Sequence, residues 1–247
     1  MKGRVLIIAG SDSGGGAGIQ ADIKTVTMLD GFAMTAVTAL TAQNTEGVFG
    51  VLPIPPDFIR QQMEVVLDDI GVDALKTGML HDAAVIEIVA TVIAERVATV
   101  PLVVDPVMVA KGGASLIETG AIEALKRFLV SRAAVLTPNL PEAEILAGHA
   151  IGDLAAMQKT AAELLGLGCR AVLLKGGHLP GDTVYDVAPF DLVHIPPLTW
   201  HQFRADPDQP LGFLCMVNAE RDRPQLPDER ELARLKQVAE VADFIVV

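Results

Sequence analysis

Arg4-Val5-Leu6-Ile7-Ile8-Ala9-Gly10-Ser11-Asp12-Ser13-Gly14-Gly15-Gly16-Ala17-Gly18-Ile19-Gln20-Ala21-Asp22 is the stretch that decides the fold. An apolar run of strand length ends in a polar, glycine-dense loop, and a helical stretch follows. Strand, loop, helix is the opening unit of an α/β protein, whose ligands gather beyond the carboxyl ends of the strands. The loop is not a Walker loop, because no Gly-Lys-Ser/Thr follows it. It is not the dinucleotide fingerprint either, because Ile19 stands where the third glycine belongs. Four glycines among residues 11–18 free the backbone to take positive φ and to approach a ligand closely. A tight strand–helix turn is the plain alternative. Such a turn needs fewer glycines, which favours a loop that faces a ligand.

The same rhythm continues downstream. Apolar runs at residues 4–10, 33–41, 74–79, 102–106, 134–139 and 171–177 read as strands. Amphipathic stretches at 57–70, 83–98, 121–130 and 153–167 read as helices; in the second, Val85, Ile88, Val89, Val92 and Ile93 recur at helical spacing. Strands that are apolar throughout suit a parallel sheet covered on both faces, and βα alternation with right-handed crossovers gives a layered α/β sandwich. Each strand ends in polar or glycine punctuation: Ala9-Gly10-Ser11-Asp12, Gln43-Asn44, Lys76-Thr77-Gly78-Met79, Asp105-Pro106, Thr137-Pro138-Asn139 and Lys175-Gly176-Gly177-His178. Six such ends point to one site more strongly than any of them alone.

Composition sets the limits. The 247 residues are 51% hydrophobic and 20% charged, enough for a large core and unlike a disordered chain. Aromatics are 4%, so that core is aliphatic. A net charge of −12 argues against a nucleic-acid partner, which ordinarily meets a basic face. It leaves room for a polyphosphate held by backbone N–H groups, a lysine and a metal ion. Two cysteines, Cys169 and Cys215, make no disulfide framework, and no apolar run reaches membrane-spanning length. A soluble cytoplasmic protein without a membrane partner is expected. Five histidines are scattered without HxH or HExxH spacing, so a zinc site is not expected.

Single residues carry two readings. Asp22, in the first turn of a helix, suits the helix dipole, or it accepts a hydrogen bond from a ring amino group. Gln43 offers both a carbonyl and an amide to the edge of a heterocycle, or it is a surface loop residue. Asp105, at the end of an apolar strand, is placed to hold Mg2+ through water. Asn139-Leu140-Pro141-Glu142 starts a helix, and capping explains it; the same group can also organise Mg2+ and phosphate. Lys175-Gly176-Gly177 brings one ammonium and two flexible N–H groups to phosphate oxygens.

These strings together resemble the hydroxymethylpyrimidine/phosphomethylpyrimidine kinases of thiamine synthesis. The likeness rests on residues 8–22, Thr41-Ala42-Gln43-Asn44-Thr45, Lys76-Thr77-Gly78-Met79-Leu80, Val104-Asp105-Pro106-Val107-Met108-Val109-Ala110-Lys111, residues 136–144 and Leu174-Lys175-Gly176-Gly177-His178-Leu179. It implies a ribokinase-like three-layer α/β/α sandwich with a mostly parallel sheet. It implies ATP-dependent phosphorylation of a pyrimidine CH2OH group and then of its monophosphate, in a homodimer. By the same likeness Gly10, Asp22, Gln43, Met79 and Val107 line the pyrimidine pocket. Asp105 and Glu142 act around Mg2+. Asn139, Lys175 and Gly177 meet ATP, and Lys175 and Asp105 are the catalytic pair. A pyridoxal-type kinase and a non-catalytic pyrimidine-binding protein or chimera are the alternatives.

The sequence departs from the family after about residue 182. Residues 187–247 hold one of the 22 glycines but seven of the 15 prolines, and the βα rhythm stops. Short β segments and a closing helix are expected there, so the C-terminal region is atypical. Val193-His194-Ile195-Pro196-Pro197-Leu198-Thr199-Trp200-His201-Gln202-Phe203 resembles the second motif of a cupin, without the first motif's ligands. The expected organisation is a kinase body over 1–182 and a cupin-like tail over 183–247. The family's Gly-Thr-Gly-Cys segment, an anion hole followed by the base, is not found, and Cys215 lies in an apolar Gly212-Phe213-Leu214-Cys215-Met216 run. Weak or absent turnover follows from that difference.

Overall fold

The computed structural model describes residues 3–108 and 119–175. They belong to the first of two compact units, Met1–Lys175 and Gly176–Val247. Gly177, the expected cupin-like tail, Cys215 and the kinase–tail junction lie outside the described residues.

The elements run β1 (Arg4–Asp12), α1 (Gly18–Met28), β2 (Phe32–Gln43), β3 (Val48–Pro53), α2 (Pro56–Asp69) and β4 (Ala74–Thr77). Then come α3 (Ala83–Arg96), β5 (Leu102–Val104), α4 (Thr119–Phe128), a 3-10 turn (Val130–Arg132), β6 (Val135–Leu136), α5 (Leu140–Ala147) and α6 (Leu154–Leu165). The strands form one sheet in the order β3-β2-β1-β4-β5-β6. Every pairing is parallel except β2 with β3. Beyond α6 the chain returns beside β6 through the parallel bridges Leu136↔Val172 and Asn139↔Lys175, where the sequence predicts a further strand.

The order explains why β1 reads as an unbroken apolar run. It lies between β2 and β4, and Leu6, Ile7 and Ile8 are fully buried. One face of β1 carries Ile7 and Ala9, which form a core with Ile19 of α1, joined by Ile23, Val26, Ala33 and Val37. The other face carries Leu6 and Ile8, in register with buried Leu75 and Thr77 of β4. The β1→β2 and β4→β5 connections cross the sheet in opposite directions, so right-handed crossovers place α1 and α3 on opposite faces. Helices α2, α3 and α4 pack side by side. Their buried Ile59, Met63, Ile86, Val89 and Ile93 each contribute roughly 1.5–3 kcal/mol by leaving water.

The helix ends follow the sequence chemistry. Asp82 caps α3 by accepting from the Val85 N–H at 2.8 Å, and Asp153 caps α6 by accepting from Ala156 at 2.7 Å. Gly148 ends α5 in the left-handed conformation, φ 79°.

Strand β3 departs from the simple βα alternation read from the sequence. Asn44 makes the turn, its side-chain oxygen accepting from the N–H groups of Glu46 and Gly47. Gly50 and Pro53 weaken the strand signal, yet an edge strand tolerates both. Above the hairpin, Gln62 of α2 takes the place of a missing strand. Its side chain donates to the Val37 carbonyl at 3.1 Å and accepts from the Val37 N–H at 2.9 Å.

Gly18 starts α1 with φ 55°, and a Cβ there would run into the Gly10 carbonyl oxygen. Gly16 has no positive φ, and a Cβ would come no closer than 4.0 Å to Asp12 Oδ2. Gly18→Ala is therefore expected to cost more than about 3 kcal/mol and Gly16→Ala less than about 1. Urea denaturation of the two variants checks the contrast, and equal losses would contradict it.

Candidate active site

The carboxyl end of β1 is shaped by close approach. A Cβ on Gly10 would stand 2.7 Å from Met79 Cε, so two of the residues assigned to a ring pocket are in contact. A Cβ on Gly78 would meet Ala9 at 2.9 Å and Lys76 Nζ at 3.3 Å. Thr38 donates to the Met79 carbonyl at 2.6 Å and fixes that turn.

The glycine loop is closed on itself. Asp12 is buried, and its carboxylate accepts from Gly14 at 2.7 Å, Gly16 at 3.0 Å and Ala17 at 2.8 Å. These N–H groups are the ones an anion would otherwise take. Lys24 donates to the Gly15 carbonyl at 2.6 Å. Ser13 Oγ donates to the Gln43 carbonyl at 2.7 Å and accepts from the Gln43 N–H at 2.8 Å, which ties the loop to the end of β2. The Gln43 side-chain oxygen accepts from Thr41 Oγ1 at 3.1 Å. The loop is thus a fixed wall beside Gly10 and Gln43, and its amides are already engaged.

A line of alternating charge crosses the strand ends. Lys76 of β4 stands in register with Ile7, so it shares the face of the sheet covered by α1. Its ammonium donates to Asp22 Oδ2 of α1 at 2.7 Å and pairs with Asp105 Oδ2 at 3.6 Å. Lys175 donates to Asp105 Oδ1 at 2.9 Å, and Thr137 Oγ1 donates to the same oxygen at 3.2 Å. All four charged side chains are between 16 and 25% exposed, so solvent screens them only in part. The Val107 N–H donates to the Asp105 carbonyl at 2.9 Å, turning the chain immediately after β5.

Asn139 and Glu142 form a complete capping box at the start of α5. The Glu142 N–H donates to the Asn139 side chain at 2.9 Å, and the Asn139 N–H donates to Glu142 Oε2 at 2.8 Å. Glu142 is only 3% exposed. Burial pushes its carboxyl up to about 7; Asp105 adds to the rise, while the Asn139 and Met108 N–H groups and the Lys175 charge oppose it.

The structure therefore joins Asp22, Asp105 and Lys175 through direct contacts, sets Glu142 within their field, and brings Gly10 against Met79. Gln43 stands beside the glycine loop, and Val107 follows Asp105. Three participants were not singled out from the sequence. Lys76 is one, since its partners lie far away in the chain. Asp12 is another, because it turns inward onto its own loop. Thr137 is the third. Among the described residues no group of three His, Cys, Asp or Glu side chains converges as a metal cage, and no helix is long and apolar enough to cross a membrane.

Comparison with known proteins agrees with this geometry. The family model for phosphomethylpyrimidine kinase matches residues 12–202. The hydroxymethylpyrimidine/phosphomethylpyrimidine kinase of Bacillus subtilis is 52% identical over 72% of this chain and 66% of its own length. The thiamine biosynthesis bifunctional protein ThiED of Geobacter sulfurreducens is 53% identical over 76% of this chain and 39% of its length. The chain thus spans about two fifths of the bifunctional relative and just under two thirds of the shorter one. A crystal structure of phosphomethylpyrimidine kinase from Clostridium difficile 630 superposes with TM-score 0.67 at 43% identity, covering 72% of this chain and 77% of that one. The pyridoxal kinase of Staphylococcus aureus in complex with pyridoxal gives TM-score 0.64 at 41% identity, covering 70% and 63%. The fold is that of the ribokinase-like α/β class. Within it, the chain belongs to the phosphomethylpyrimidine kinase family.

Glu142 gives a pH test. A carboxyl raised from 4.5 to about 7 weakens the folded state as pH climbs through that interval, because the unfolded chain ionises first. Glu142→Gln, which still caps α5, is expected to gain on the order of 2–3 kcal/mol relative to wild type between pH 4.5 and 8 in EDTA. Urea melts at the two pH values check this; a pH-independent difference would contradict it.

Proposed function

We propose that the chain binds 4-amino-5-hydroxymethyl-2-methylpyrimidine and ATP and carries out, at a low rate, phosphoryl transfer to the hydroxymethyl group and then to its monophosphate. The observation that carries this reading is the continuous contact from Asp22 through Lys76 and Asp105 to Lys175. It connects an acceptor for a ring amino group to an ammonium for phosphate oxygens along one edge of the sheet. Family membership supports the same chemistry. In such a transfer the protein mainly positions the reactants and neutralises charge.

Gly10, Met79, Val107 and Gln43 would surround the ring, and Asp22 Oδ1 is the oxygen left to accept from its amino group. Lys175 and Asn139 would meet the nucleotide. Mg2+ is usually held by one or two carboxylates with phosphates completing its shell, and Asp105 with the buried Glu142 fits that pattern. Bound there, Mg2+ would offset the charge of the transferring phosphoryl group. Lys175, which donates to Asp105 here, would turn its ammonium to the phosphate oxygens. A cytoplasmic homodimer without nucleic-acid or membrane partners completes the reading. The dimer is supported by edge strand β3, which exposes Phe49 and Leu52.

Without a Gly-Thr-Gly-Cys segment the rate is expected to fall by about 10²–10³ for the lost oxyanion-type donors alone. The test pairs calorimetry with a coupled ADP-release assay. The expected result is pyrimidine binding, slow ADP release in Mg-ATP, and no release from Lys175→Ala. Absence of pyrimidine binding would sink the reading, and binding without any ADP would leave a pyrimidine-binding protein. Likeness to a pyridoxal-bound kinase favours a second ligand, so pyridoxal is included as a competitor; tighter binding of pyridoxal than of the pyrimidine would reassign the substrate.

A further inference from the structure

We propose that Lys76 is a positioning residue of the site: its ammonium, held between Asp22 and Asp105, orients the ring-side carboxylate of Asp22. The inference rests on the reading of the two subsites given above and adds a residue to it.

Three observations carry it. First, Lys76 reaches both carboxylates, Asp22 Oδ2 at 2.7 Å and Asp105 Oδ2 at 3.6 Å, and is the sole side chain among the described residues that pairs with both. Second, the turn after β4 runs close beside it: a Cβ at Gly78 would meet Ala9 at 2.9 Å and the Lys76 ammonium at 3.3 Å. Third, the pairing is sheltered, with Lys76 21% and Asp22 16% exposed. A charged pair in such a place is fixed in direction, unlike an exposed pair whose ends rotate freely.

The consequences differ for the two carboxylates. Asp22 has no other cation within contact among the described residues, so Lys76 alone orients it. By holding Oδ2, the ammonium leaves Oδ1 as the acceptor for a ring amino group. Asp105 has a second cation, Lys175, and a hydroxyl donor, Thr137, so it remains held when Lys76 is lost. Removing Lys76 also removes positive charge from beside Asp105 and leaves Asp22 without a cation, while Asp105 keeps Lys175. Ring binding should therefore weaken while divalent-cation binding does not. A lysine that merely supported the fold would weaken both together.

The experiment uses the full chain and three measurements on wild type, Lys76→Met and Lys76→Arg. Pyrimidine affinity is measured by calorimetry without metal or nucleotide. Mn2+ affinity is measured by the loss of the free-ion electron paramagnetic resonance signal. Thermal midpoints report the fold. For Lys76→Met the expected result is pyrimidine affinity at least about tenfold weaker, Mn2+ affinity unchanged or tighter, and a midpoint within about 3 °C of wild type. Lys76→Arg, which keeps a cation that can donate to both partners, should return pyrimidine affinity to within about threefold. Wild-type pyrimidine affinity in Lys76→Met overturns the proposal. So does a parallel loss of pyrimidine and Mn2+ binding. If Lys76→Met melts early, Lys76→Arg decides: a native midpoint with pyrimidine affinity no better than that of Lys76→Met overturns it. If wild type itself binds no pyrimidine, the reading of the ring subsite has failed, and this is seen before any variant is compared.

Discussion

The carboxyl end of β1 is crowded on three sides, and the site follows from that crowding. Gly18 starts α1 against the Gly10 carbonyl, Gly10 faces Met79, and Gly78 faces Ala9. A side chain at Gly18 would strike the Gly10 carbonyl, one at Gly78 would press on Ala9, and one at Gly10 would displace the end of the Met79 side chain. What the glycines permit is a shallow floor of backbone on which Asp22, Lys76 and Asp105 reach one another from α1, β4 and the end of β5. The strict βα order then matters for function, because α1 must begin at the height where β4 and β5 end for these side chains to meet.

The glycine loop and the charged line divide the work differently from a phosphate-binding loop. In such a loop, backbone N–H groups wait for an external anion. Here an internal anion, Asp12, takes three of them. The loop is rigid before any ligand arrives, and its anchor to Gln43 through Ser13 extends that rigidity to the end of β2. Positive charge stands instead at the other end of the charged line, on Lys175, where the proposed function puts the phosphates. A flat ring on the loop side and a polyphosphate on the Lys175 side is the division of ligand chemistry that this arrangement favours.

Much of this was legible in the sequence because it is local. Apolar runs of strand length, helical spacing in 83–98, the Asn139–Glu142 cap and the polar strand ends all announce themselves within a few residues. The helix boundaries of α2, α3, α4 and α6 lie within two residues of the sequence expectation. What was hidden is long-range or contrary to local preference. Strand β3 carries Gly50 and Pro53, which count against a strand until its edge position is known. Asp22, one of the two partners of Lys76, is 54 positions away, and the parallel register of β1 with β4 together with the packing of α1 on that face brings them together. Asp12 sits in a loop that reads as ligand-facing, and nothing in its spelling says that it folds back on its own amides.

Glu142 shows how the fold and the chemistry share a residue. As the third residue of α5 it closes a capping box, which ordinarily stabilises a helix start. Yet its burial drives the carboxyl up to about 7, so the helix start is held by a group whose ionised form burial disfavours. The two lysines already balance Asp22 and Asp105, and neither hydrogen-bonds to Glu142 among the described residues. A positive charge brought to this end of the site would draw Glu142 into its ionised form and release a proton. It would also offset the desolvation cost of that ionised form. The cap keeps that carboxylate aimed while it waits, which a free surface glutamate, with its rotamers open, could not do.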